Sequence, residues 1–166
     1  MEYRLSMAAI KLLLFTGCRK GEILGLRWDQ VKLDEGRLYL PMTKNGKSRS
    51  IILNNKTKEV LETLERGESE HLFPSRAGSK KGHLNDLRKP FLKVCLAAGI
   101  ESIRIHDLRH SLATIAVMGG ASFYDVQKFL GHSDVSMTQR YAHMVDDSLQ
   151  TATDNMAGVI DRAIGE

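Results

Sequence analysis

The stretch IHDLRHSLAT, Ile105 to Thr114, holds two histidines, an aspartate and an arginine within little more than one helical turn. His106, Arg109 and His110 stand at i, i+3 and i+4, neighbouring positions on one helix face. Three basic groups crowded in this way repel one another unless an anion sits among them, so the spacing predicts a phosphate or carboxylate ligand. Taken singly, His110 reads as a satisfied, partly buried histidine and Asp107 as a first-turn acid favoured by the helix dipole. The competing chemistry is a zinc pair, because His106 and His110 copy the i, i+4 spacing of the HExxH metalloproteases. Asp107 in place of the longer Glu opposes it, as do the fixed charge of Arg109 and the Gly119-Gly120 break before the next histidine, His132. No metal and no cofactor are expected.

Further along, KFLGHSDVSMTQRYAHM places His132 after Gly131 at a predicted helix end, and Tyr141 nine residues on, directly after Arg140. Nearby cations favour the phenolate of a tyrosine, whose unperturbed pKa is about 10, and so favour its use as a nucleophile. Alone, a tyrosine at helical spacing after Val135 and Met137 is more often a packing residue.

The elements that must position these groups are mostly helical. Leu5, Ala8, Ala9, Leu12 and Leu13 recur at helical spacing, and Thr16-Gly17 supplies a stop. A second short helix is predicted over Arg19 to Trp28, anchored by Ile23, Leu24 and Leu26. VKLDEGRLYL then alternates on either side of Asp34-Glu35-Gly36, and Asn45-Gly46 marks a second tight turn, so three antiparallel strands are expected with Lys44 at the second tip. So small a sheet needs helices to cover it. Helical spacing resumes over Lys56–Arg66, Leu84–Ala98 and His106 to Gly119-Gly120, and then over Asp125–Leu130, Val135–Tyr141 and Asp146–Ile164. The fold class is α+β, mainly helical, with a small three-stranded antiparallel sheet.

The 166 residues fit one domain that can bury its own core. Lys and Arg outnumber Asp and Glu by 24 to 20, a formal +4, which favours a polyanionic partner without proving one. Cys18 and Cys95 form no CxxC and suggest neither a disulfide framework nor a thiolate zinc site, so a reducing cytoplasmic setting is expected. The apolar run AAIKLLLF is too short for a membrane span and is broken by Lys11. No membrane partner is expected.

TGCRKGEILGLRW, TKNGKSR, HDLRHSLAT, LGHSD and RYAH resemble, in order and approximate spacing, the catalytic domain of the phage integrases, or tyrosine recombinases. The likeness covers nearly the whole chain, and five motifs in register are far more specific than any one. It implies an integrase-type catalytic domain and a site-specific DNA recombinase whose tyrosine forms a 3′-phosphotyrosyl link and releases a 5′-hydroxyl. Carried over by motif, Arg19 is the first arginine, Lys44 the hairpin lysine, His106 and Arg109 the HxxR pair, His132 the second histidine and Tyr141 the nucleophile. Glu22 falls on an acidic position that orients Arg19, a role for which a surface salt bridge is an equal alternative.

These residue types suit the reaction. Arg19 and Arg109 offer permanently protonated forks for phosphate oxygens, and His132 can donate a further hydrogen bond. Lys44 is the candidate donor to the departing 5′-oxygen, with Lys47 next door as its rival, and His106 is placed to relay the tyrosine proton. Lys47, Arg49, Lys80, Lys81 and Arg104 are candidates to hold flanking phosphates, though each is at least as readily plain surface. The partner implied is double-stranded DNA, with a homo-oligomer, a tetramer, on DNA for a full-length protein.

Recombinases of this type also carry an N-terminal DNA-binding domain, whereas residues 1–166 begin at the first helix of the catalytic domain. Weak DNA affinity and poor recombination are therefore expected of this chain. Residues 146–166 read as a tail helix with Leu149, Met156, Val159, Ile160 and Ile164 partly on one face, a candidate contact to a neighbouring protomer or to its own domain. A type IB topoisomerase shares the chemistry, but LGHSD and the compact length favour the recombinase. A non-catalytic DNA-binding protein would be marked by a substitution at a catalytic position, and none is present.

Overall fold

Ala8, Ala9, Leu12 and Leu13 lie on the buried side of helix α1 (Glu2–Thr16) in the computed structural model, which describes residues 2–41, 48–75, 81–131 and 153. Helix α1 stops where Gly17 turns to φ +60 and its N–H donates to the Leu13 carbonyl at 3.0 Å. Glycine adopts that conformation without the steric cost a Cβ would bring. The chain re-enters a helix at once, α2 (Lys20–Leu24), burying Ile23 and Leu24. This helix is shorter than the sequence pattern suggests, because the backbone beyond it is used elsewhere. Leu72 N–H donates to Leu26 at 2.9 Å and Trp28 N–H to Glu70 at 3.0 Å, and a single 3₁₀ turn (Trp28–Gln30) leads into the sheet.

Strands β1 (Val31–Lys32), β2 (Arg37–Leu40) and β3 (Arg49–Ile52) form an antiparallel sheet in the order β1-β2-β3, with Leu38 opposite Val31 and Ile51, and Leu40 opposite Arg49. Leu38, Leu40 and Ile51 point into the core while Tyr39, Ser50 and Ile52 stay exposed, the period of two expected for a sheet with one wet face. Gly36, at φ +62, closes the first turn. The second turn, with Lys44 and Asn45-Gly46, lies outside the described residues.

Asn54 caps helix α3 (Asn55–Glu62), its Oδ1 accepting the Thr57 N–H at 2.8 Å, a device worth about 1 kcal/mol. The sequence pattern runs on to Arg66. The helix ends earlier because Thr63 and Leu64 N–H groups bond back only three residues, to Val60 and Leu61. Helix α4 (Arg88–Ala97) likewise starts later than Leu84, whose N–H is taken by the Phe73 carbonyl at 2.7 Å. Pro90 sits in its first turn, where a missing N–H is tolerated. Helix α1 packs on α2, α3 and α4, and one core cluster joins Leu12, Ile23, Leu38, Phe73 and Leu87.

The chain divides into two compact units, Met1–Leu112 and Ala113–Glu166, and helix α5 (Asp107–Met118) runs across the division. In the second unit Ala113 and Val117 pack with Val126 and Leu130 of helix α6 (Phe123–Leu130). Ser122 caps α6 by accepting the Asp125 N–H at 3.1 Å, which starts the helix two residues ahead of the apolar pattern, and Gly131 at φ +66 ends it. The helices read from sequence over Val135–Tyr141 and Asp146–Ile164 lie outside the described residues.

Candidate active site

The first unit gathers three arginines around one carboxylate. Arg19 is the residue before α2, and Glu22, three residues on, reaches back to accept its backbone N–H on Oε2 at 2.8 Å, the carboxylate half of a capping box. The same carboxylate holds the Arg19 guanidinium, with Nη1 3.1 Å from Oε1. From β3, Arg49 brings Nη2 to 2.8 Å from Oε2. The three side chains differ in exposure: 44% for Arg19, 12% for Glu22 and 17% for Arg49. Arg19 therefore keeps a solvent-facing edge while the other two form the floor.

Arg109 comes from the first turns of α5 and is buried, 4% exposed, with Nη1 donating to the Gly17 carbonyl. Burial above all, then the charges of Arg19 and Arg49, bring its pKa down to about 10, against the opposing pull of Glu22. Arg109 is thus protonated at neutral pH and close enough to both other guanidiniums to feel them. Cys18, between Gly17 and Arg19, is buried and held as the thiol, its pKa pushed up to about 11 by burial, which leaves it a poor nucleophile.

His106 sits in the turn that leads into α5. Asp107 N–H donates to the Arg104 carbonyl at 2.9 Å, and the Asp107 carboxylate returns to accept the Arg104 N–H at 2.8 Å and its guanidinium at 2.9 and 3.1 Å. These hydrogen bonds hold the Asp107 carboxyl at about 2. His106 is exposed and meets His110 edge to face, ring centres 5.0 Å apart. With Cys18 and Arg109 it lines a cleft of about 890 Å³, whose apolar wall includes Phe91, Leu96 and Ile103.

Of the residues singled out from sequence, Arg19, Glu22 and Arg109 come together, and His106 joins Arg109 at the cleft. Arg49, read from sequence as a holder of flanking phosphate, is turned inward onto Glu22. Arg104 is exposed and paired with Asp107, and Lys81 is exposed. Lys44, Lys47, Lys80, His132 and Tyr141 lie outside the described residues. Sequence reasoning missed the Gly17 carbonyl as the seat of Arg109 and the part Asp107 plays in shaping the turn that carries His106. Among the described residues no group of three or more His, Cys, Asp or Glu could hold a metal ion, and no helix is long and apolar enough to cross a membrane.

A mainly helical α+β domain built around clustered guanidiniums is the class that fold and site define. The chain belongs to the phage integrase family, whose sequence model matches residues 2–147. It is 33% identical to the tyrosine recombinase XerA of Saccharolobus solfataricus, over 85% of this chain and 46% of that protein. Its fold resembles the XerH site-specific recombinase in a post-cleavage complex with a palindromic difH substrate, with TM-score 0.72 and 25% identity, covering 89% of this chain and 44% of that one. It also resembles the catalytic domain of bacteriophage HP1 integrase, with TM-score 0.62 and 27% identity, covering 92% of this chain and 89% of that one. The chain spans about half the length of the curated relatives it matches.

Proposed function

We propose that the chain is the catalytic domain of a site-specific DNA recombinase, which cleaves and rejoins duplex DNA by transesterification through a 3′-phosphotyrosyl intermediate. The observation that carries this reading is the convergence of Arg19 and Arg109, two like charges kept close together with a third guanidinium beside them. Such an arrangement of like charges is repulsive in itself and is relieved by an oxyanion. The DNA complex of XerH, a recombinase similar in fold, supports the choice of a phosphodiester.

In the step proposed, the Tyr141 phenol oxygen attacks the scissile phosphorus as its proton passes to His106. The bond from phosphorus to the 5′-oxygen breaks, and Lys44 protonates that oxygen so that it leaves as an alcohol. Arg19 and Arg109 bind the non-bridging oxygens and His132 donates to them, stabilising the charge that gathers there. The phosphotyrosyl bond retains the energy of the one broken, so a 5′-hydroxyl can reverse the step without a nucleotide cofactor. Exposed Lys81 and Arg104, with Lys47 and Lys80, hold flanking phosphates and make binding depend on salt.

Assembly follows from the tail. Residues 146–166 carry Asp146, Asp147, Asp154, Asp161 and Glu166 against one base, Arg162. The exposed Leu92, Leu96 and Ile100 line the cleft, an apolar surface suited to the apolar face of an amphipathic segment from a second protomer. Light scattering of the intact chain against one lacking residues 146–166 tests this: the deletion yields monomer only, and an unchanged mass rules the contact out.

The activity is tested by incubating the chain with a pool of nicked duplexes of random sequence and isolating DNA joined covalently to protein. Wild type forms an adduct and Tyr141→Phe forms none; equal adduct from both refutes the assignment.

A further inference from the structure

Arg49 is the feature of the site that the proposed chemistry leaves unused. It begins β3 opposite Leu40, and its guanidinium reaches Glu22 of α2. Both oxygens of Glu22 are occupied: Oε1 by the Arg19 guanidinium, Oε2 by the Arg19 backbone N–H and Arg49 Nη2. One carboxylate thus serves two guanidiniums, one of them, Arg49, from a strand residue 27 positions further along the chain than Glu22. A third, Arg109, lies within range of both their charges.

We propose that Arg49 is a positioning residue for the phosphoryl-transfer step, acting through Glu22, and not a holder of flanking phosphate. The proposal rests on the reading of the site given above. Arg19, Arg49 and Arg109 set against Glu22 leave two net positive charges in the floor of the site. A phosphodiester brings one negative charge, and its five-coordinate state with an attacking phenolate carries two, so each guanidinium charge left uncompensated here favours the transition state over the ground state. Without Arg49, Glu22 is neutralised by Arg19 alone. The carboxylate then draws the Arg19 fork fully onto itself and away from the phosphate, and one positive charge remains. Arg49 also ties the start of β3 to helix α2 through Glu22.

A flanking-phosphate contact and a positioning role give different signatures. Loss of a phosphate contact weakens DNA binding, lowers the salt slope by about one and leaves the rate at saturation intact. Loss of the positioning role slows single-turnover cleavage at saturating DNA, with affinity and salt slope unchanged. The substrate is a nicked duplex recovered by covalent capture on wild type. Arg49→Met is expected to cleave about 10- to 100-fold more slowly at saturation. Adding Glu22→Gln, which removes the carboxylate that Arg49 had been sharing, is expected to recover about tenfold of that loss, and Arg49→Lys to recover part of it. A merely structural arginine gives no such rescue. Sulfate titration by calorimetry reads the same coupling without DNA: affinity falls in Arg49→Met and returns in the double variant. Normal saturated cleavage in Arg49→Met with weakened DNA binding overturns the proposal, as does a double variant slower than the single one. If wild type captures no DNA, the recombinase reading fails, while the sulfate titration still decides whether Arg49 and Glu22 are coupled.

Discussion

The Arg109 guanidinium donates to the carbonyl of Gly17, joining the first turns of α5 to the residue that ends α1 across 92 positions of sequence. That bond fixes the direction from which a buried cation faces Arg19. A lysine at position 109 carries the charge but has no second edge to offer an oxyanion once its ammonium bonds Gly17. Arg109→Lys is therefore expected to lose about 100- to 1000-fold in the rate of adduct formation. Urea unfolding of the same variant should show about 1–3 kcal/mol of lost stability, from imperfect satisfaction of buried polar groups.

Gly17 itself is constrained by conformation. At φ +60 it ends α1 and presents its carbonyl to Arg109 in the same residue. Gly17→Ala should cost about 1–2 kcal/mol of stability through the left-handed backbone alone. It should also slow cleavage by displacing Arg109, whereas Gly67→Ala, where a Cβ meets nothing within 4 Å, should do neither.

Anion binding should report the charge state of Arg109. Its folded pKa lies near 10, lowered by burial and by Arg19 and Arg49, so the charge is present below that pH and is lost as pH rises through it. Sulfate does not change its own charge in this range. Its affinity, followed by calorimetry, is expected to fall as the pH rises through about 10, and a midpoint near 12 would show that Arg109 is not the group concerned.

Acid should loosen the turn that carries His106. The Asp107 carboxyl is held at about 2 by hydrogen bonds from Arg104, below its ordinary 3.8. Because the folded value is the lower one, the stabilisation is complete above about pH 4 and disappears as pH falls towards 2. Asp107→Asn should show a shallower loss of stability between pH 4 and 2 than wild type, and a carboxyl titration by NMR should place Asp107 well below the ordinary aspartate value of 3.8.

Much of this architecture is legible in the sequence because it is set by local rules. The periodicity of Leu5 to Leu13 gives α1, the alternation around Asp34-Glu35-Gly36 gives the first hairpin, and the three-residue step from Arg19 to Glu22 allows the capping pair. What escapes is set by distant partners. Leu84 has helical spacing, yet its N–H is claimed by Phe73, and α4 starts only at Arg88. Arg49 looks like any exposed strand-end cation until sheet register brings it against Glu22. Nothing in the spacing of Gly17 and Arg109 announces their bond. Site chemistry was readable from residue types, whereas the way those residues are held was not.

Covalent attachment of DNA to Tyr141, at a phosphoryl group gripped by Arg19 and Arg109, is the step on which the proposed recombinase chemistry depends. The chain offers four tyrosines, Tyr3, Tyr39, Tyr124 and Tyr141, so the point of attachment discriminates sharply. Nuclease trimming of the captured adduct, proteolysis and mass spectrometry locate the residual nucleotide. The expected product is a 3′-linked nucleotide on the peptide containing Tyr141, with none formed by Arg19→Ala/Arg109→Ala. A nucleotide on any other residue, or an undiminished adduct in that double variant, contradicts it.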